Sequence, residues 1–227
     1  MRVVRVLGLF LILLAIGCDS APSATARKKS PSRSAVRRTA QRPASRAPAA
    51  KPVPAAPQAA NNVVLHTSAG DITLRLFPDR APRTVAQFLK YVESGHYNGT
   101  IFHQVVDSCL ILGGAFTPEL LEKPAGAPVP NEAATCRLSN SRGTIAMARP
   151  LESIDSAGSQ FFINLVDNPQ LDHIDNTPEG FGYCVFGEVT SGLDVVDQLG
   201  SAEVQSIADF EMMPVRAVMI QSAQVLR

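Results

Sequence analysis

From residue 62 onward, apolar and polar positions change period several times, and each change marks an element. Val63-Val64-Leu65-His66-Thr67 and Ile72-Thr73-Leu74-Arg75-Leu76-Phe77 flank Ser68-Ala69-Gly70-Asp71, a turn sequence, so this part opens with a β-hairpin. Val85, Phe88, Leu89 and Val92 then fall at helical spacing on one face, with Pro82 suited to the first turn and Gly95 to the stop. Period two returns at residue 101. Ile101, His103 and Val105 are predicted to point one way, and Phe102, Gln104 and Val106 the other. Asp107-Ser108 reads as a turn, and Cys109 to Leu112 as a strand buried on both faces. Residues 144–148, 160–165 and 183–189 supply further strands, 192–199 a short helix with Leu193, Val196 and Leu199 inward, and 215–226 the closing segment. Residues 117–138, 149–159 and 167–182 read as loops, the first bordering a binding groove. The class is mainly β, and many short strands with two helices predict a closed barrel capped by those helices.

The stretch from His96 to Phe116 holds the most chemistry. Two strands joined by a tight turn carry a polar His-Gln pair on one and an apolar run on the other, and Gly113-Gly114 permits close backbone approach. Spacing alone leaves two readings open, a half-apolar groove or a plain core hairpin. The residues themselves go further. Phe102-His103-Gln104-Val105-Val106, two residues, then Cys109-Leu110-Ile111-Leu112-Gly113-Gly114 resembles the signature of the cyclophilin family of peptidyl-prolyl isomerases, Phe-His-Arg-Val-Ile, two residues, then Phe-Met-Ile-Gln-Gly-Gly. Ala81-Pro82-Arg83-Thr84-Val85 with Phe88, Arg142 to Ala148, Ser159 to Asn164, Leu171-Asp172 and Val185 to Val189 follow in the family's order, over roughly 63–226, with the periplasmic bacterial branch most similar. The resemblance implies a closed eight-stranded barrel capped by two helices. It also implies isomerisation of the bond before proline in unfolded or flexible proteins, without a cofactor.

That reaction breaks no covalent bond. The barrier is about 18–20 kcal/mol, and the rotating amide loses resonance while its nitrogen becomes pyramidal. A catalyst needs an apolar seat for the proline ring and polar groups that favour the twisted amide. By resemblance, Phe162 is the aromatic floor of that seat, Leu110 and Leu171 line it, and His103 and Gln104 occupy the histidine–arginine pair, so His103, Gln104 and Phe162 are the candidate catalytic residues. Gln160 and Ala148-Arg149 match positions that contact the substrate backbone, and Tyr183 stands where many members have His. Four positions depart from the pattern. Gln104 replaces the arginine, Cys109 a pocket phenylalanine, Leu112 a glutamine, and Gln170 an aromatic residue. Gln104 can still donate, but it is neutral and lacks the guanidinium fork. Two functions follow: a slow isomerase, or a binding module for proline peptides that has lost catalysis.

Composition adds what lies outside this fold. Net charge is +1, yet residues 19–60 hold nine Lys or Arg against one acid, while residues 61–227 hold ten against nineteen. Residues 1–17 read as a signal segment: Arg2 and Arg5, an apolar run too short to span a bilayer, and Leu14-Ala15-Ile16-Gly17-Cys18, which resembles a bacterial lipoprotein signal with Cys18 as the lipid-bearing residue. An ordinary cleaved signal peptide is the other reading. Residues 18–60, rich in Pro and Ala, form an expected disordered basic tether, either a solvated stalk or a holder of anionic lipid or envelope polymer. Residues 61–227 are the cyclophilin-like domain. The expected protein is a monomer anchored to a membrane through lipidated Cys18, in the periplasm or another extracytoplasmic space, with no nucleic-acid partner. Cys136 and Cys184 could be disulfide-linked there, which spacing does not decide. His66, His96, His103 and His173 show no metal-ligand spacing, so no metal is expected.

Overall fold

The computed structural model of the protein describes residues 62–226. The signal-like run, the basic tether and Cys18 lie outside the described residues. The elements are β1 (Asn62–Thr67), β2 (Gly70–Leu76), α1 (Pro82–Glu93), β3 (Thr100–Val106), β4 (Leu110–Gly113), α2 (Ala133–Cys136), β5 (Thr144–Met147), β6 (Phe161–Asn164), a 3₁₀ turn (Pro169–Leu171), β7 (Val185–Ser191), α3 (Leu193–Gly200), β8 (Val204–Ile207), β9 (Phe210–Pro214) and β10 (Val218–Leu226). Eight strands close a barrel in the order β1-β10-β3-β4-β6-β5-β7-β2, while β8 and β9 form a separate hairpin. Closure leaves no barrel strand with an unpaired edge.

The strand period fills the barrel. Leu65, Ile72, Leu74, Ile111, Ile145, Phe161, Ile163 and Phe186 all point into one core and are fully buried. Helix α1 adds Val85, Phe88 and Val92 to it, and α3 adds Val196 and Leu199. The Phe88 ring lies 5.2 Å from Tyr97, 5.8 Å from Phe161 and 5.0 Å from Phe186. Ala81 precedes α1 and has no side-chain oxygen with which to cap it. The cap comes instead from far along the chain: the Glu132 carboxylate accepts from the Thr84 amide and hydroxyl, both at 2.8 Å, and from the Arg83 amide at 3.2 Å. A negative charge at that end also suits the helix dipole.

Three sequence expectations are corrected. Residues 117–138 are not all loop, because α2 sits among them and isolated bridges join Phe116 to Glu122 and Val129 to Ala157. The β8–β9 hairpin was not foreseen. Every residue of β8 is exposed, so it has no buried face to write an alternation into the sequence. Lastly, Ile101, His103 and Val105 do not share a face. The β3–β4 ladder pairs Phe102 with Gly113 and Gln104 with Leu112, leaving His103 as an extra residue in a bulge. Phe102 and Val105 therefore both enter the core, whereas Ile101 packs outside with Ala115, Phe116 and Met213.

Candidate active site

The bulge sets up the site. With Gln104 brought opposite Leu112, the ladders carry a row of residues across the outer face of the barrel: Gln104, Leu112, Phe162, Ala146 and Val185, on β3, β4, β6, β5 and β7. Gln104 is half-buried at the end of the row. The other four belong to one apolar cluster with Cys109, Leu110, Ala148, Leu171 and Tyr183. The edge of one ring meets the other in the Phe162–Tyr183 pair, 5.5 Å between centroids at 82°. The structure thus gathers Cys109, Leu110, Leu112, Ala148, Phe162, Leu171 and Tyr183, seven of the predicted site residues, into a single seat. Alternation explains the division of labour in β6, where Phe161 fills the core and Phe162 the seat.

A chain of buried asparagines holds the seat together. Asn168 Nδ2 donates to the Cys109 carbonyl at 3.0 Å and to Asn164 Oδ1 at 2.8 Å. Asn164 Nδ2 donates to Thr144 Oγ1 at 2.9 Å and Asn140 Oδ1 at 3.3 Å. Asn140 Nδ2 reaches the Leu171 carbonyl at 3.1 Å and Asp172 Oδ1 at 3.0 Å. The Tyr183 amide then donates to the same Leu171 carbonyl at 2.9 Å. Buried amides with satisfied partners fix geometry that apolar packing alone leaves loose. Sequence reading missed all three asparagines in this role. Their signal was a polar side chain beside apolar runs, with Asn164 and Asn168 four apart. Gln170 belongs to this network, donating from Nε2 to Asn168 Oδ1 at 3.0 Å.

Three predicted residues sit differently from the rest. His103 is 3% exposed and stands outside the seat cluster, with its ring 4.8 Å from Phe116 and 6.2 Å from Phe210. Burial lowers its pKa to about 4, with the Ile101 backbone opposing, so the ring is neutral at physiological pH. Its Nδ1 has no hydrogen-bond partner among the described residues. Arg149 is 2% exposed. Its guanidinium donates to the carbonyls of Gly182, Pro150, Leu151, Ser153 and Pro178 at 3.1, 3.1, 3.2, 3.3 and 2.6 Å, and lies 5.2 Å from the Tyr183 ring centroid. Burial pulls it below the usual arginine range, with Tyr183, Glu179 and Asp155 opposing. Arg149 therefore staples the loops around Tyr183, and its donors face backbone carbonyls. Gln160 lines a cleft of about 170 Å³ beside the seat, together with Glu122, Ala125, Ala148 and Ser159, and its Oε1 is buried without a partner among the described residues.

The arrangement offers an apolar seat with one uncharged amide donor at its rim. It suits a flat, apolar ring with an adjoining peptide group. Comparisons with known proteins agree with that shape. The family described as cyclophilin type peptidyl-prolyl cis-trans isomerase/CLD matches residues 62–225. A peptidyl-prolyl cis-trans isomerase of Streptomyces antibioticus is 48% identical over 166 residues, covering 73% of this chain and 99% of the relative. Peptidyl-prolyl cis-trans isomerase B of Escherichia coli is 44% identical over 163 residues, covering 72% and 98%. Among solved structures, a Cryptosporidium parvum cyclophilin type isomerase crystallised in the presence of the dipeptide Ala-Pro is similar with a TM-score of 0.62 and 26% identity, covering 73% of this chain and 99% of that one.

Proposed function

The chain belongs to the cyclophilin-type peptidyl-prolyl cis-trans isomerases, and from that premise we propose that it is a slow member acting on proline-containing segments of unfolded or flexible extracytoplasmic proteins. The observation that carries this reading is the ladder that sets Gln104 beside Leu112 and Phe162 on one face. A proline ring seated on Phe162 and Leu171 leaves its preceding amide near the Gln104 carboxamide. Gln104 Nε2 then donates to the twisted amide more strongly than to either planar form, which is the differential binding that lowers the barrier. No bond forms or breaks, and no proton is transferred. The work is holding the ring, excluding water and stabilising the pyramidal nitrogen.

The same geometry predicts a low rate. A charge-assisted hydrogen bond is about twice as strong as a neutral one. Losing such a donor aimed at the transition state costs on the order of 2.7–4 kcal/mol, or about 10²–10³ in rate. Leu112, next in the row, supplies no polar anchor. Arg149, the one cation among the candidate site residues, is already engaged by five carbonyls. That last observation favours the second reading, a module that binds proline peptides without turning them over. A proline-isomerisation assay on the full chain and on Gln104→Arg separates the two. A parent rate above background, raised about 10²–10³ in the variant, supports the slow enzyme. A parent indistinguishable from background that still binds a proline peptide supports the module.

Membrane attachment through lipidated Cys18 is part of the proposal, supported by the signal-like run that precedes it. Cys18→Ser releases the protein from membranes if the anchor is lipid. Continued residence in the membrane fraction would refute it.

A further inference from the structure

The seat cluster holds one hydroxyl, that of Tyr183, which packs there with Phe162, Leu171 and Val185. Its Oη is buried and has no hydrogen-bond partner among the described residues. A buried hydroxyl without a partner costs free energy, so its retention in a folded protein needs a cause. The surrounding contacts hold it in place. The ring meets Phe162 at 5.5 Å and 82°, and the Arg149 guanidinium carbon lies over its face, 5.2 Å from the centroid. The Tyr183 amide donates to the Leu171 carbonyl at 2.9 Å, and Arg149 Nε donates to the carbonyl of the preceding Gly182 at 3.1 Å. Phe162 has no polar side-chain atom, and a guanidinium has donors but no acceptor. The two groups that fix the ring therefore leave its O–H unpaired.

We propose that Tyr183 is a further substrate-binding donor, its O–H bonding a peptide carbonyl on the far side of the proline ring from Gln104. The proposal rests on the isomerase reading of the seat. Ladder order supports the placement. Gln104 lies two strands from Phe162 in one direction, through Leu112 of β4. Tyr183 lies in the other direction, two residues before Val185 of β7, which pairs with Ala146 beside Phe162. Depth supports it too. Tyr183 is 4% exposed and both Phe162 and Leu171 are 2% exposed, so a peptide whose ring reaches that floor also reaches this one. Burial raises the Tyr183 pKa, with Arg149 opposing and Glu152 adding to the rise, so the phenol keeps its proton and can donate at physiological pH. Other donors at the seat are engaged. Cys109 Sγ and Gln170 Nε2 both donate to Asn168 Oδ1, at 3.6 and 3.0 Å, and Arg149 faces backbone carbonyls.

The two donors then divide the work. Gln104 acts on the amide that twists, so it governs kcat. The carbonyl held by Tyr183 belongs to a peptide unit that does not rotate. That bond is made equally in the ground state and the transition state, so it governs KM.

The test compares the full chain with Tyr183→Phe, using succinyl-Ala-Ala-Pro-Phe-para-nitroanilide as the probe for turnover and for binding. The variant keeps the ring and removes the hydroxyl alone. KM should rise about threefold to tenfold with kcat within about twofold of the parent. The denaturant midpoint should equal or exceed the parent's, because the unpaired buried group is gone. A tyrosine with a structural role alone gives the reverse, a lower midpoint with KM unmoved, and that result overturns the proposal. Failure of the isomerase reading shows separately. If the parent binds the probe without turning it over, Kd takes the place of KM: a rise of about threefold to tenfold upholds the donor, and an unchanged Kd overturns it. A parent that neither binds nor turns over the probe overturns both readings. A second measurement uses the parent isotope-labelled at tyrosine Cζ, which carries three such signals, from Tyr91, Tyr97 and Tyr183. The one missing from Tyr183→Phe should shift as the probe saturates the site, and a signal that stays in place overturns the proposal. If Tyr183→Phe does not fold, Tyr91→Phe and Tyr97→Phe identify the other two signals and leave the third.

Discussion

On one side of the β3 bulge His103 is sealed against Phe116 and Phe210, and on the other Gln104 stays half-exposed beside Leu112 and the aromatic seat. The two are consecutive in sequence and belong to the same motif. One extra residue in a ladder sends them to different clusters with different physics. The His103 side is dry and apolar, so the imidazole is kept neutral and its Nδ1 unpartnered among the described residues. The Gln104 side joins an apolar wall to solvent, which is where a peptide can enter. Membership of a motif therefore tells which residues are near the site, while the backbone register tells which of them face it.

The largest way to break this contrast is Phe162→Ala. Truncating a buried phenylalanine costs about 3–5 kcal/mol, and denaturant unfolding should show that loss along with disappearance of the isomerase rate. Equal loss of stability with the rate intact would remove Phe162 from the seat. Next comes pH. The folded pKa of His103, about 4, lies below the unfolded value of about 6.5, so the fold refuses a proton that the unfolded chain accepts. Its contribution is fully present above about pH 6.5, falls as pH drops toward about 4, and amounts to on the order of 3 kcal/mol over that window. Unfolding free energies across that window should flatten in His103→Phe relative to the parent, and a parallel slope would show that His103 is not the group responsible. Asn168→Ala leaves Asn164 Oδ1 without this donor and takes one donor from the Cys109 carbonyl, which keeps the Leu165 amide; this should cost about 1–3 kcal/mol and raise KM more than it lowers kcat. The smallest effect sharpens the contrast most: His103→Phe should change the isomerisation rate by less than about twofold, because the ring faces the hairpin side. A loss approaching that expected of a transition-state donor would return His103 to the site.

Much of the barrel was legible because period two is written into strands with one face in the core. β2 shows it plainly, whereas β5 and β6 are buried on both faces and were legible as short apolar runs. The bulge was not legible, since nothing in Phe102-His103-Gln104-Val105 marks which residue the opposite strand omits. The β8–β9 hairpin escaped for the opposite reason: Val204 and Ile207 are exposed, so no alternation was required of them. The acidic cap on α1 comes from Glu132, 48 residues from Thr84, a distance no local capping rule spans. At the candidate site, residue types could nominate Arg149, but its partners are backbone carbonyls, which carry no side-chain signal. The three asparagines are likewise ordinary in sequence, and only their mutual contacts give them a purpose.

Pairing of Asn62 with Leu226 brings the two ends of the described fold side by side, on strands four places from β6 in either direction around the barrel for β1 and three and five for β10. Any handle attached at either end grips the back of the barrel. A copy immobilised on a bead from before Asn62, or fused to another protein after Leu226, would leave the half-buried Gln104 end of the row on β3 and β4 clear of the support.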